Sequence, residues 1–201
     1  MAISTVKICN AALSLIKVKQ ITNATLSSGT EAERQCSLMF PILRDKLLHA
    51  HPWNFAEKRQ ALAALTETPP FEYTYYYQLP ADCLRVLRLY DEDASYRIEA
   101  ENRLATDASP CNLIYISAVT DVAQFDPGFT QALIYNLASH LAVVMSANRT
   151  LAAELRQRAR EELSLAKSQD AQEGYPLQRR TKGGWLSARR SRSGISGRWN
   201  T

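Results

Sequence analysis

Few residues in this 201-residue chain have types and spacings that could do chemistry. Histidine occurs three times, at His49, His51 and His140, and cysteine four times, at Cys9, Cys36, Cys83 and Cys111. A hydroxyl or thiol nucleophile needs a base beside it. No GxSxG elbow occurs, so such a pair, for example Cys with His, would have to be assembled from residues far apart in sequence. His49-x-His51 invites a metal reading. On a helix, however, positions i and i+2 project about 200° apart, so both could ligate one ion only past a helix end, and no third ligand follows by spacing. The alternative is a helix C-terminus, where a histidine meets the last carbonyls. Asp91-Glu92-Asp93 could bind a cation or form the solvated tip of a hairpin, and Glu161-Glu162 suits the polar side of a helix. There is no GxxxxGK[ST], and Gly183-Gly184 does not follow a strand pattern, so no phosphate-cradling loop is indicated. No catalytic residue, cofactor-binding residue or metal set is nominated. The expectation is a non-enzymatic protein without a cofactor.

Charge is distributed unevenly. The net charge is +4, yet no acidic residue follows Glu173, and the segment beyond it carries Arg179, Arg180, Lys182, Arg189, Arg190, Arg192 and Arg198. That segment is +7 and the preceding chain is −3. Tyr175, Trp185 and Trp199 are interleaved with the cations, along with glycines and serines. Such a composition buries too little apolar surface to order itself alone. Three readings stand: phosphate binding on DNA with strong salt dependence, docking on a protein partner with the aromatic residues as anchors, or a merely solubilising end.

Two aromatic segments are also set apart. Pro52-Trp53-Asn54-Phe55 precedes Lys58 and Arg59. Trp53 and Phe55 could plug a helix–sheet junction, form a subunit interface, or stack bases. In Tyr73-Thr-Tyr75-Tyr76-Tyr77, strand geometry puts Tyr73, Tyr75 and Tyr77 on one face and Tyr76 on the other. One face is expected to meet the core, and the other to be solvated or a protein interface.

The elements that must position these groups follow from periodicity. The spacing predicts a helix over Ser4–Lys17, capped by Ser4 or Thr5, and a second from about Ser28, where Ser28-x-x-Glu31 fits a capping box. Pro41 should kink this second helix and Pro52 end it. Strands are predicted at Phe71–Leu79, Leu84–Tyr90, Tyr96–Ala100 and Leu113–Val119. Asp126-Pro127 should open a third helix with Phe129, Leu133, Leu137 and Leu141 as its stripe. A last helix is predicted over Thr150–Ala171, with Glu154–Arg158 as an i,i+4 pair. The expected fold class is α+β: an antiparallel helical bundle with one small inserted antiparallel β-sheet and an extended basic C-terminal tail. The expected units are a first helical half at 1–56, a β insertion at 57–120, a second helical half at 121–173 and a flexible tail at 174–201.

Composition agrees with a globular chain: 46% hydrophobic, 22% charged, 7 Gly and 8 Pro. Collagen, wholly disordered and disulfide-dense classes are excluded. No apolar run approaches the ~18–20 residues needed to span a bilayer, so no membrane insertion is expected. Residues 1–19 lack a continuous apolar stretch of the export-signal kind. With no CxxC pair, the cysteines are expected to be free, mostly buried thiols in a reducing compartment.

Taken in order, several short pieces resemble the tail tubular protein A family, the head-to-tail adaptors (connectors) of short-tailed bacteriophages. They are Ile8-Cys-Asn-Ala-Ala-Leu13, Arg44-Asp45-x-Leu47-Leu48, His51-Pro-Trp-Asn-Phe-Ala56, Leu79-Pro80-x-Asp82-Cys83-Leu84-Arg85-Val86, Ile114-Tyr115-Ile116 and Phe125-Asp126-Pro127-x-Phe129. The resemblance spans about residues 3–147. It implies a helical body with a β insertion and a ring of twelve copies between portal protein and tail nozzle protein. It also implies a channel continued for genomic DNA during ejection, and attachment of tail fibres at the same junction. The implied location is the virion's head–tail junction, with host cytoplasm during assembly. No family motif matches the basic tail. Docking of that tail on the portal is the expectation drawn from its composition, and DNA binding by the tail is the alternative.

Overall fold

A computed structural model describes residues 3–22 and 29–173. It is a mixed α+β fold of four helices and two antiparallel sheets. The helices are α1 (Thr5–Leu15), α2 (Glu31–His49), α3 (Pro127–Ser146) and α4 (Arg149–Glu173). The strands are β1 (Glu57–Leu62), β2 (Tyr75–Gln78), β3 (Cys83–Leu89), β4 (Tyr96–Glu99), β5 (Arg103–Thr106) and β6 (Cys111–Ser117).

Local chemistry sets the helix ends. Ser4 Oγ accepts from the Lys7 N–H at 3.3 Å. The capping box of α2 lies two residues later than the predicted one. Thr30 Oγ1 accepts from Glu33 N–H, and the Glu33 carboxylate accepts from Thr30 N–H, both at 3.3 Å. Thr30-x-x-Glu33 satisfies the same rule as Ser28-x-x-Glu31, and Ser28 lies outside the described residues. α2 runs from Glu31 through Pro41 to His49 and ends before Pro52. The buried neighbours Phe40 and Leu43 hold it against the bundle across the missing donor. Asp126 caps α3, with Pro127 in the first turn. Between α3 and α4 the chain turns on Ala147 in the left-handed region (φ 49°), and Asn148 Oδ1 accepts from Leu151 N–H at 3.0 Å. Glu154 and Arg158 do not form the predicted ion pair; on that surface Gln157 donates to Glu161 at 2.9 Å.

The expectation of one small sheet is corrected. Two three-stranded sheets form, in the orders β1-β6-β3 and β2-β5-β4. Every pairing is antiparallel. The predicted strands correspond to β2, β3, β4 and β6, while β1 and β5 carry no clear strand pattern. β1 reads Glu-Lys-Arg-Gln-Ala-Leu and is an edge strand, so its backbone pairs with β6 while most of its side chains face water. β5 is only four residues long but sits at the centre of its sheet, where Leu104 and Ala105 are fully buried. The predicted tail, 174–201, lies outside the described residues.

Two apolar clusters organise the layers. The larger joins α1–α4 to one side of the first sheet through Leu84, Leu87 and Ile116. The smaller lies between the sheets, where Val86, Leu89, Leu113 and Tyr115 meet Tyr77 and Leu104. β6 belongs to both: Leu113 and Tyr115 point to the second cluster and Ile116 to the first, as a period of two requires.

The α3–α4 contact is close enough to demand glycine. A Cβ on Gly128 would sit 2.8 Å from the Ala166 Cβ and 3.2 Å from its Cα. Alanine is the better helix former by about 1 kcal/mol, yet Gly128→Ala is expected to lower stability by about 1–3 kcal/mol through overpacking. Urea unfolding of the two proteins measures the difference.

Candidate functional site: the junction at His51–Ala56

The segment His51–Ala56 leaves the end of α2 and enters β1, and it holds three residues that the sequence set apart, His51, Trp53 and Phe55. Trp53 is fully buried, and its indole N–H donates to the Leu47 carbonyl at 2.9 Å. Its ring meets Phe129 edge-on at 5.2 Å between centroids and His51 at 4.8 Å. Phe55 meets the same Phe129 at 5.2 Å, and Phe125 meets Phe129 at 5.0 Å. Edge-to-face pairs at these distances add about 0.5–1.5 kcal/mol each beyond area burial. Ser117 in β6 donates to the Ala56 carbonyl at 3.1 Å, which ties the segment to the first sheet.

The polar half of the junction comes from α4. Asp170 is 6% exposed. Its Oδ1 accepts from the Asn54 backbone N–H at 3.0 Å and its Oδ2 from His51 Nε2 at 3.0 Å. Its carbonyl accepts from the Asn54 side chain at 2.7 Å. A carboxylate in this position is stable only because its acceptor capacity is met. Asp170 was not singled out in the sequence, yet a signal exists. It continues the apolar stripe of α4 one turn beyond Ala166, a phase where an acid is out of place.

The three histidines do not meet. His49 ends α2 on the surface, His51 is held by Asp170, and His140 lies on α3. Burial pushes the His140 imidazole below its ordinary range, and Lys46 and Arg156 add to the effect. The four cysteines are free. The Cys9 thiol, hydrogen-bonded to Cys36 and buried, is pushed far above the usual thiol range. Burial raises Cys83 and lifts Cys111 to about 11. These three are held as neutral thiols, the unreactive form. Among the described residues no group of His, Cys, Asp and Glu is placed to hold a metal ion. Asp91–Asp93 form an exposed turn, closed by the Asp93 N–H donating to Asp91 Oδ1 at 3.2 Å.

The tyrosines take separate roles. Tyr73 precedes β2 and is half-buried, and Tyr75 and Tyr77 lie 6.3 Å apart. Tyr77 is buried and donates to the Ala108 carbonyl at 2.8 Å. Tyr76 is buried as well, contrary to the expectation of a solvated or interfacial second face. Its hydroxyl donates to Glu99 at 2.6 Å, and the Arg103 guanidinium stands 5.7 Å from its ring centre. The tail residues Arg179, Arg180, Lys182, Arg189, Arg190, Arg192, Arg198, Tyr175, Trp185 and Trp199 lie outside the described residues.

A second polar knot sits between β1, β6 and the start of β3. Asp82 Oδ2 accepts from Lys58 Nζ at 2.7 Å, and its Oδ1 accepts from the Tyr115 hydroxyl at 3.1 Å. The Lys58 ammonium holds the Asp82 carboxyl below its ordinary value, with help from Tyr115. Burial, and then the hydrogen bond to Asp82, pushes the Tyr115 phenol from 10.0 to about 12.

No protein-family sequence profile matches the chain, and no curated protein matches it. Among the described residues no helix is long and apolar enough to cross a membrane.

Asp170→Ala leaves the Asn54 N–H and the His51 imidazole without their acceptor. It is expected to lower stability by about 3 kcal/mol, read by chemical denaturation at neutral pH. Tyr115 predicts an alkaline transition. A phenol whose pKa is higher folded than unfolded contributes stability that is complete below the unfolded value and lost as pH rises through the folded one. Stability should therefore fall between pH 10 and about 12, and the fall should be shallower in Tyr115→Phe when both are followed by urea unfolding across that range.

Proposed function

We propose that the protein is a virion structural protein, a head-to-tail adaptor of a short-tailed bacteriophage. It forms a ring with copies of itself between portal and tail nozzle and continues the channel for genomic DNA. Tail fibres would attach at that same junction, and the protein has no catalytic role. The observation that carries the reading is where the adaptor-like pieces sit. Ile8, Cys9, Leu13, Leu47, Leu48, Trp53, Ala56, Ile116, Phe125 and Phe129 belong to the bundle core, and Leu79, Val86 and Tyr115 to the core between the sheets. The residues that carry the resemblance thus serve a framework rather than a reactive centre, as a load-transmitting ring subunit requires.

Surface chemistry supports the same reading. A ring is built from heterologous contacts, one face of each copy against a different face of the next. Leu38 and Ile42 stand one turn apart on α2, 46% and 59% exposed, and Val143, Val144 and Leu165 are exposed on α3 and α4. Single exposed apolar residues are ordinary, but pairs on neighbouring helices offer lateral contact area. The acidic body would not grip DNA passing through a lumen. The +7 segment after Glu173 is assigned to docking on the portal, where ordering on contact would couple assembly to the presence of its partner.

Light scattering on the purified protein, alone and mixed with the portal of the same phage, tests this. A monomer or small oligomer that forms a stoichiometric complex with the portal is expected, and deletion of residues 174–201 should abolish the complex while leaving the body's circular dichroism intact. A shortened protein that still binds would remove the docking role. Absence of any portal complex, with salt-sensitive uptake of DNA instead, would replace the adaptor reading with DNA binding.

A further inference from the structure

A cavity of about 250 Å³ opens where the end of α2 meets the middle of α3 and α4. Its rim is lined by Lys46 from α2, Asn136 and His140 from α3, and Arg156 and Arg160 from α4, over an aliphatic floor that includes Leu47. No Asp or Glu lines it. Among the described residues Lys46, Arg156 and Arg160 make no ion pair, although nine other pairs form. The remaining segments, 1–2, 23–28 and 174–201, contain no Asp or Glu that could supply one.

The three cations are exposed and partly screened by water, and no acidic side chain of the groove balances them. Arg156 and Arg160 are an i,i+4 pair of like charge on one helix face, which is destabilising, and Lys46 adds a third cation from across the groove. The carbonyl end of α2 attracts Lys46, which stands in its last turn. It does not account for two arginines on α4. Burial first, and then the same Lys46 and Arg156, lower the proton affinity of His140.

We infer that this groove binds a phosphate group. Guanidinium groups bind phosphate oxygens through paired N–H donors, and lysine adds a point charge. Asn136 and the neutral His140 ring supply further donors. A groove of about 250 Å³ has room for a phosphate group, free or presented by a larger molecule that stays outside. The inference stands on the groove alone and does not depend on the adaptor reading.

The test uses the full chain and inorganic phosphate, with the His140 ring resonances followed by NMR. Saturable movement of His140 is expected, together with a rise in its pKa, because a bound anion offsets the two neighbouring cations. The double variant Arg156→Gln, Arg160→Gln removes two charge-assisted contacts from exposed positions and should weaken phosphate binding by about tenfold or more. A short single-stranded oligonucleotide distinguishes the sources. Movement with phosphate only assigns a free ligand, and movement with both, the oligonucleotide being displaced by phosphate, assigns a polymer backbone. No saturable movement would overturn the inference. So would equal movement with chloride at matched ionic strength, or undiminished binding by the double variant with its fold intact by circular dichroism.

Discussion

The carboxylate of Asp170 is buried inside the contact between α4 and the segment that leaves α2, and the rest of the molecule is arranged around satisfying it. A buried carboxylate in that position is tolerable only when hydrogen-bond donors meet it. His51 Nε2 and the Asn54 backbone N–H give each carboxylate oxygen one donor, and the Asn54 side chain donates to the Asp170 backbone carbonyl. That requirement fixes where the chain turns after α2. It also fixes the depth to which Trp53 enters the core, and so the angle at which β1 departs. The indole N–H then finds the Leu47 carbonyl at the helix end, which also accepts from the Ala50 N–H at 3.2 Å. One polar contact thus sets the seat for the largest apolar side chain in the bundle, and the Phe125–Phe129 edge of α3 closes over it.

From that seat the layers follow. β1 pairs with β6, and β6 faces helices on one side and the second sheet on the other. A strand covered on both faces must be apolar along nearly its whole length, as Cys111–Ser117 is. The second sheet is then needed to cover Leu113 and Tyr115, and it is held by Tyr77 and Leu104. The Lys58–Asp82–Tyr115 knot ties the edge of the first sheet where its apolar cover thins. The Cys9, Cys83 and Cys111 thiols are raised away from reactivity, and Asp170 is occupied by donors. The adaptor reading therefore rests on framework and surface, with the basic groove between α2 and α4 as a separate feature.

Legibility in the sequence followed the range of the interaction. Asp126-Pro127, Ser4 and the stripe from Phe129 to Leu141 are signals confined to a turn or two, and they mark α1 and α3 closely. The start of α2 was displaced because two Ser/Thr-x-x-Glu patterns overlap and local chemistry alone does not choose between them; the packing of Ala32 and Glu33 against the bundle favours Thr30. β1 was invisible because an edge strand needs only backbone donors and acceptors, and its polar side chains read as loop. β5 was invisible because four residues are too few to display alternation.

By itself the sequence determined the composition class, the caps that open α1 and α3, the apolar stripes, and the separation of an acidic body from a basic end. Each of these depends on residues close together in the chain or on totals. Only the tertiary structure decided that two sheets form rather than one, that Tyr76 is covered as well as Tyr77, that Asp170 reaches His51 and Asn54, and that Lys46 meets Arg156 and Arg160. All of these join residues distant in sequence. Their pairing is chosen by which surfaces remain to be covered once the local elements exist, and no local pattern encodes that choice.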